Sequence, residues 1–166
     1  NSSMAPEEWT SEFEIIDPDE EQELALCLIA EYSLKVKYKN RLKKRLEQEY
    51  PNYKAGKVTS RYKDELFRLY PLLQKEKKKE NKMSFSDLLE EGTRLLKMGK
   101  NSRPEWIIVD EVQDSDRSQL EFLEALKGPE TKIFAVGDPN QVIYSFRGTT
   151  QNMFFLLKNR FQAKEL

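Results

Sequence analysis

The stretch WIIVDEVQDSDRSQ, from Trp106 to Gln119, sets four apolar residues directly against a cluster of carboxylates. Adjacent acids at the tip of a buried segment suit a hard divalent cation. Mg²⁺ takes one or two carboxylates and completes its shell with phosphate oxygens and water. In such an arrangement Asp110 holds the ion, directly or through water, and Glu111 orients a water for attack on a γ-phosphate. The bland alternative is that Asp110 caps the helix that follows and Glu111 is merely solvated. A second apolar run, Lys132 to Val136, ends in the polar sequence Gly137-Asp138-Pro139-Asn140-Gln141. The chain has no histidine, which removes the commonest general base and transition-metal ligand, so chemistry here falls to carboxylates.

The elements that position these groups are legible on either side of them. Trp106-Ile107-Ile108-Val109 and Lys132-Ile133-Phe134-Ala135-Val136 are short, continuous and rich in β-branched residues, the pattern of parallel strands covered on both faces. Between them SDRSQLEFLEALKG predicts one amphipathic helix, with Leu120, Leu123 and Leu126 inward and Gly128 past its end. That order is a βαβ unit. Open parallel sheets bind ligands beyond the carboxyl ends of their strands, and both polar sequences lie there. A last helix, roughly residues 150 to 162, carries Met153, Phe154, Leu157 and Phe161 on its apolar side.

The pair IIVDEVQD and AVGDPNQVIYSFRG, in this order and with one helix between them, resembles motifs II and III of the UvrD/Rep/PcrA-type DNA helicases of superfamily 1. FEIIDPDEEQEL, from Phe13 to Leu24, resembles the segment that opens the helical insertion of that family's first motor domain. MSFSDLLEEG resembles its Asp-Phe-Asp-Asp-Leu-Leu element, with Ser84 and Ser86 where acids are usual and Asp87 retained.

The resemblance implies an α/β fold: an all-helical insertion subdomain over residues 1 to 82, and a partial RecA-like (P-loop NTPase) parallel sheet with helices over residues 83 to 166. It implies ATP and Mg²⁺ as cofactors, with Asp110 serving the metal and Glu111 acting as the catalytic carboxylate. Gln141 then senses the γ-phosphate. Tyr144 and Phe146 face single-stranded DNA, Phe146 standing where several relatives carry tryptophan, and Arg147 lies near the DNA backbone; the bland alternative for the two aromatics is ordinary core packing. A stacked base contributes about 1–3 kcal/mol whatever its identity. Gln113 and Asp114 either fix the Asp110-Glu111 loop or touch the motif after the second strand. Asp138 either caps its turn or couples the nucleotide to Gln141.

An ATPase of this type also needs a Gly-rich loop ending in Gly-Lys-Thr or Gly-Lys-Ser. AGKVTS at 55 to 60 and MGKNS at 98 to 102 contain Gly-Lys but lack the earlier glycine, the immediate hydroxyl residue and a preceding strand. The expectation is therefore a fragment of a larger DNA helicase, inactive alone, whose parent couples ATP hydrolysis to movement on single-stranded DNA, 3′ to 5′ by family. Two alternatives stand beside it: a helicase–nuclease subunit of the AddA/RecB type, and a non-catalytic module that binds DNA or protein.

Composition sets the remaining bounds. A chain of 166 residues, 34% charged and 38% hydrophobic, buries one core plus a satellite. Its 28 Lys and Arg against 29 Asp and Glu give a net charge of −1, so any grip on nucleic acid is local. The single Cys27 excludes an internal disulfide and is expected to be a packed helical residue in a cytosolic protein. No apolar run approaches membrane-span length. NSSMAPEEW is set aside as a leftover tag or frayed end. Asp17-Pro18-Asp19-Glu20 predicts a helix start. The Lys- and Arg-dense residues 35 to 50 predict a solvated helix face or mobile connection. Pro51 and Gly56 punctuate the chain before a helical stretch in which Tyr62, Leu66, Leu69 and Leu73 recur, with Pro71 kinking or ending it. KEKKKENK at 75 to 82 predicts an exposed helix end, with phosphate contact the sharper alternative. Ser84 and Asp87 form a capping box, and Leu88, Leu89, Leu95 and Leu96 follow in a helix that Gly99 closes.

Overall fold

The computed structural model describes residues 8–54, 66–99, 103–112, 115, 117–138 and 153–164. Helices and short parallel strands alternate in two compact units, Asn1–Leu88 and Leu89–Leu166.

The first unit opens with β1 (Glu14–Ile15) and α1 (Pro18–Glu31). Asp17 starts α1 as expected: its carboxylate accepts the Asp19 and Glu20 amides, and Glu20 reaches back to the Asp17 amide. A 3₁₀ turn (Lys39–Arg41) leads into α2 (Leu42–Lys54), and α3 (Leu69–Lys79) follows. Each helix contributes residues at helical spacing to one core: Ala25, Leu28 and Ile29 from α1, Leu42, Leu46 and Tyr50 from α2, Leu69, Tyr70 and Leu73 from α3. Leu66 and Val36 complete it.

Several local expectations change here. Residues 35 to 50 are a solvated face only in part: their cations are largely exposed, but Val36, Leu42, Leu46 and Tyr50 supply an inward stripe that those cations obscure in the sequence. The helix runs through Pro51 to Lys54. Pro71 does not end its helix: it lies in the first turn of α3, just past a break in the helical stretch at Arg68, where the missing N–H has no intrahelical partner to lose. Tyr62 lies outside the described residues. Cys27 is exposed, not packed. It stands about 200° around α1 from Ala25 and so faces away from the Ala25, Leu28, Ile29 stripe.

The basic tract is also not simply an exposed helix end. Lys77 is completely buried, and its ammonium donates to Glu21 and to Asp87, each over 2.5 Å. Asp87 additionally accepts from the Ser84 amide (3.0 Å), the Ser84 hydroxyl (2.7 Å) and the Gln74 side-chain amide (2.6 Å). The expected capping box at the start of α4 (Phe85–Lys97) thus doubles as the acceptor of a buried ion pair. Beside it, β2 (Lys82–Met83) pairs in parallel with β1, so the first unit is not helical throughout. Trp9, within the opening residues set aside as tag or frayed end, donates its indole N–H to the Lys82 carbonyl over 3.0 Å. Thr10 and Asn81 exchange two further hydrogen bonds, of 2.9 and 2.7 Å. Trp9 and Thr10 are therefore tied to the α3–β2 turn.

In the second unit β3 (Trp106–Val109), α5 (Arg117–Leu126) and β4 (Lys132–Ala135) form the expected βαβ arrangement. The strands pair in parallel from Trp106↔Lys132 to Val109↔Ala135. Gly99 closes α4 with a left-handed φ of 73°. Gly128 allows close approach of Arg103, whose side-chain carbon a β-carbon at 128 would meet at 2.9 Å. The Arg103 guanidinium in turn bonds the Leu96 and Ala125 carbonyls. Leu120 and Ala125 are the buried residues of α5, with Leu123 and Leu126 half-buried. Along α4, Leu96 is buried while Leu88 and Leu95 are exposed. The last helix, α6 (Met153–Phe161), buries Leu157 and half-buries Phe161 against Val112 and Leu120, and the side chains of Met153 and Phe154 lie outside the described residues.

One expectation for the sheet fails. Ile107 is buried and Val109 and Ile133 are half-buried, but Trp106, Ile108, Phe134 and Val136 are exposed, Ile108 at 74%. Among the described residues the helices cover one face only. The sequence carries the apolar pattern of a doubly covered parallel sheet, but two strands and two packed helices leave half of it bare.

Candidate active site

The two strand ends are held in register beyond the last ladder pair. The Val136 amide donates to the Val109 carbonyl over 2.8 Å, and the Val112 amide donates to the Val136 carbonyl over 3.1 Å. Asp110 and Glu111 sit in the loop between these anchors, both exposed, and Gly137 and Asp138 leave β4 next to them, half-buried. Thr131 fixes the other end: its hydroxyl donates to the Pro104 carbonyl over 2.6 Å and accepts the Gly128 amide over 2.9 Å, so β3 and β4 start together as well as end together.

Val112 is what makes the loop turn. It is 1% exposed, packed with Leu120 and Leu157, so the chain must return a side chain to the core three residues after Val109. Glu111 absorbs the turn with a φ of 48°, in the left-handed region that non-glycine residues rarely adopt. Backbone strain of this kind persists where surrounding structure over-determines it, and it clusters at functional sites. The Asp110 carboxylate accepts the Glu111 amide over 2.9 Å through one oxygen. It caps its own turn by that bond, and the second oxygen of an exposed, hard carboxylate is the right donor for Mg²⁺. The donor set therefore fits a magnesium–phosphate ligand, in which the protein supplies few of the oxygens. Among the described residues no group of three or more acids, cysteines or histidines could hold a metal by itself.

Of the residues singled out in the sequence, Asp110 and Glu111 are neighbours at the tip of β3, and Asp138 lies past the end of the adjacent strand β4. Gln113, Asp114, Gln141, Tyr144, Phe146 and Arg147 lie outside the described residues. Sequence reasoning missed the anchoring role of Val112. Its signal was an apolar residue isolated among Asp110, Glu111, Gln113 and Asp114, which has no reason to be there unless it is buried.

A family model for the UvrD/REP helicase N-terminal domain matches residues 3–162. The chain is 40% identical over 89 residues to a probable DNA helicase of Mycoplasma pneumoniae, covering 50% of this chain and 17% of that protein. It is 36% identical over 89 residues to the ATP-dependent DNA helicase Rep of Escherichia coli, covering 50% and 13%. A probable DNA helicase II homolog of Mycoplasma genitalium is 33% identical over 110 residues, covering 63% and 16%. The matched segment spans under a fifth of each of these relatives. No helix among the described residues is long and apolar enough to cross a membrane.

Proposed function

The chain belongs to the UvrD/REP helicase N-terminal domain family, and we propose that it forms part of the first motor domain of an ATP-dependent DNA helicase that moves on single-stranded DNA, 3′ to 5′. The observation that carries this reading is the register of β3 and β4, which brings the Asp110-Glu111 tip and the Gly137-Asp138 tip to the same edge of one parallel sheet. A nucleotide at that edge has the geometry expected of α/β ligand sites.

In this reading Asp110 would hold Mg²⁺ through the oxygen that does not accept the Glu111 amide, and the bound ion would supply charge neutralisation for the nucleotide phosphates. Glu111, displayed by its left-handed backbone, orients the attacking water and accepts its proton. Gln141, three residues beyond Asp138, reports the γ-phosphate to the segment that carries Tyr144, Phe146 and Arg147. Those three residues meet single-stranded DNA, so the loss of the γ-phosphate is felt where the strand is held. The two-stranded sheet then belongs to a larger RecA-like sheet with helices on both faces, which accounts for the bare face of Trp106, Ile108, Phe134 and Val136. The Gly-Lys-Thr or Gly-Lys-Ser loop that completes the phosphate site belongs to a longer protein of which this chain is a segment.

The test is hydrolysis of Mg-ATP by that longer protein with and without single-stranded DNA. The reading requires Mg²⁺-dependent turnover that rises when the strand is added. A protein that binds DNA but shows no nucleotide affinity in either condition is a binding module and contradicts it.

A further inference from the structure

The segment KVKYKNRLKKR, residues 35 to 45, gathers seven cations and no acid in a chain whose net charge is −1. At least two of the seven also bond within the first unit. Lys43 pairs with Asp19 over 2.7 Å, and Arg45, 7% exposed, bonds Glu49 over 3.2 Å and the Lys37 carbonyl over 2.9 Å. The other five, Lys35, Lys37, Lys39, Arg41 and Lys44, are exposed.

Their arrangement is built rather than incidental. Val36 and Leu42 are buried on either side of the turn, and the Arg45 guanidinium holds the Lys37 carbonyl from below, so the backbone between them is fixed while its cations point outward. At the crest Tyr38 adopts a left-handed backbone, φ 54° and ψ 46°, with its carbonyl accepting the Arg41 amide over 2.9 Å. A bulky residue in that region is an outlier that glycine or asparagine would relieve, yet the position holds an aromatic ring that remains 52% exposed. The segment thus offers exposed cations and an exposed ring within one fixed turn. It matches a polyanion that offers a flat apolar face between charges.

We infer that the turn from Lys35 to Lys44 is a second binding surface for single-stranded DNA, in which Lys35, Lys39, Arg41 and Lys44 track the phosphates and Tyr38 provides a platform for one base. A duplex hides its base faces, so the exposed tyrosine favours the single strand. This rests on the DNA-binding reading above and extends it to a site in the first unit, separate in sequence from Tyr144, Phe146 and Arg147.

The test is a fluorescence-anisotropy titration of the 166-residue chain with a labelled oligothymidine across a series of salt concentrations. The variants are Tyr38→Ala, Phe146→Ala and the combined Lys35→Gln, Lys39→Gln, Arg41→Gln, Lys44→Gln. These four side chains are exposed, so the fold survives their replacement, and the arginine version of the three lysines restores binding. The combined variant should flatten the plot of log affinity against log salt by roughly 3, at about 0.7 for each phosphate that is no longer neutralised. Tyr38→Ala should weaken binding about ten-fold and leave that slope unchanged. Wild-type affinity and slope in the combined variant, alongside weakening by Phe146→Ala, would overturn this second surface while leaving the helicase reading intact. Absence of any binding by the wild-type chain would overturn it too, with ATP turnover by the longer protein deciding the helicase reading separately. Equal binding of duplex and single strand that ignores Tyr38→Ala would reject the single-strand assignment.

Discussion

The Val112 amide donates to the Val136 carbonyl over 3.1 Å, one residue beyond the last paired residue of β4. That bond turns two short strands into a shared edge. Asp110 and Glu111 are confined between it and the Val136 to Val109 bond, and the loop reaches its buried end at Val112 only because Glu111 takes a left-handed conformation.

Strain at Glu111 is measurable apart from any chemistry. Glu111→Gly should leave the unfolding free energy of the chain within about 0.5 kcal/mol of wild type, because relief of the left-handed backbone offsets the entropy that glycine adds to the unfolded state. Glu111→Val puts a β-branched residue at a φ of 48° and should cost at least about 1 kcal/mol. Urea unfolding of both variants distinguishes a strained turn from a relaxed one, in which valine would be tolerated as well as glycine.

The Lys77–Asp87 pair makes a second prediction. Both side chains are wholly buried, so Asp87→Ala leaves an ammonium out of water with Glu21 still beside it, and the loss should be about 3–5 kcal/mol. Lys77→Met should cost less, since Asp87 retains the Ser84 and Gln74 donors. In a double-mutant cycle the two changes should couple by about 1 kcal/mol or more. Strictly additive losses in urea titrations would show that the pair does not act as a unit.

Acid should weaken the start of α1. The Glu20 and Asp19 backbone amides hold the Asp17 carboxyl below its ordinary value of 3.8. A depressed carboxylate contributes stability that is complete above the unfolded value and disappears as pH falls through the lower folded one. Thermal midpoints measured downward from about pH 5 should therefore show an extra fall below pH 3.8 in wild type that Asp17→Asn, a competent cap without a charge to lose, does not share. Parallel curves for the two proteins would remove Asp17 from the acid response.

How far the sequence reveals this molecule depends on the range of the forces involved. Local signals read through well: the Asp17 start of α1, the Ser84–Asp87 box, the Gly99 stop and the βαβ order of residues 106 to 135 all arise from neighbouring residues. Lys77 does not, because its burial depends on Glu21, 56 residues earlier, and a lysine within a run of lysines carries no mark of its inward direction. Cys27 and the stripe of Leu42, Leu46 and Tyr50 are misleading for a related reason: local composition outweighs the helical angle that decides which side faces the core. At the candidate site the residue types of Asp110 and Glu111 are plain from the chemistry they suit. The left-handed turn at Glu111 is not, since no glycine advertises it.

The bare sheet face predicts solution behaviour. Ile108 is 74% exposed and Phe134 46%, so replacing both with threonine removes little buried area. Stability of the isolated chain should change by no more than about 0.5 kcal/mol per site, while self-association at high concentration falls because the apolar patch is broken. Sedimentation of wild type and variant tests this, and a large loss of stability would mean that the face is covered after all.

The central claim is that the carboxylate displayed at the tip of β3 performs the hydrolytic step, and Glu111→Gln in the longer helicase tests it most directly. The exchange keeps shape and hydrogen bonding but removes the proton acceptor, so turnover of Mg-ATP should fall by about 100-fold or more while nucleotide affinity is preserved. Turnover equal to that of wild type would contradict the assignment of Glu111 and, with it, the reading of this edge as the catalytic one.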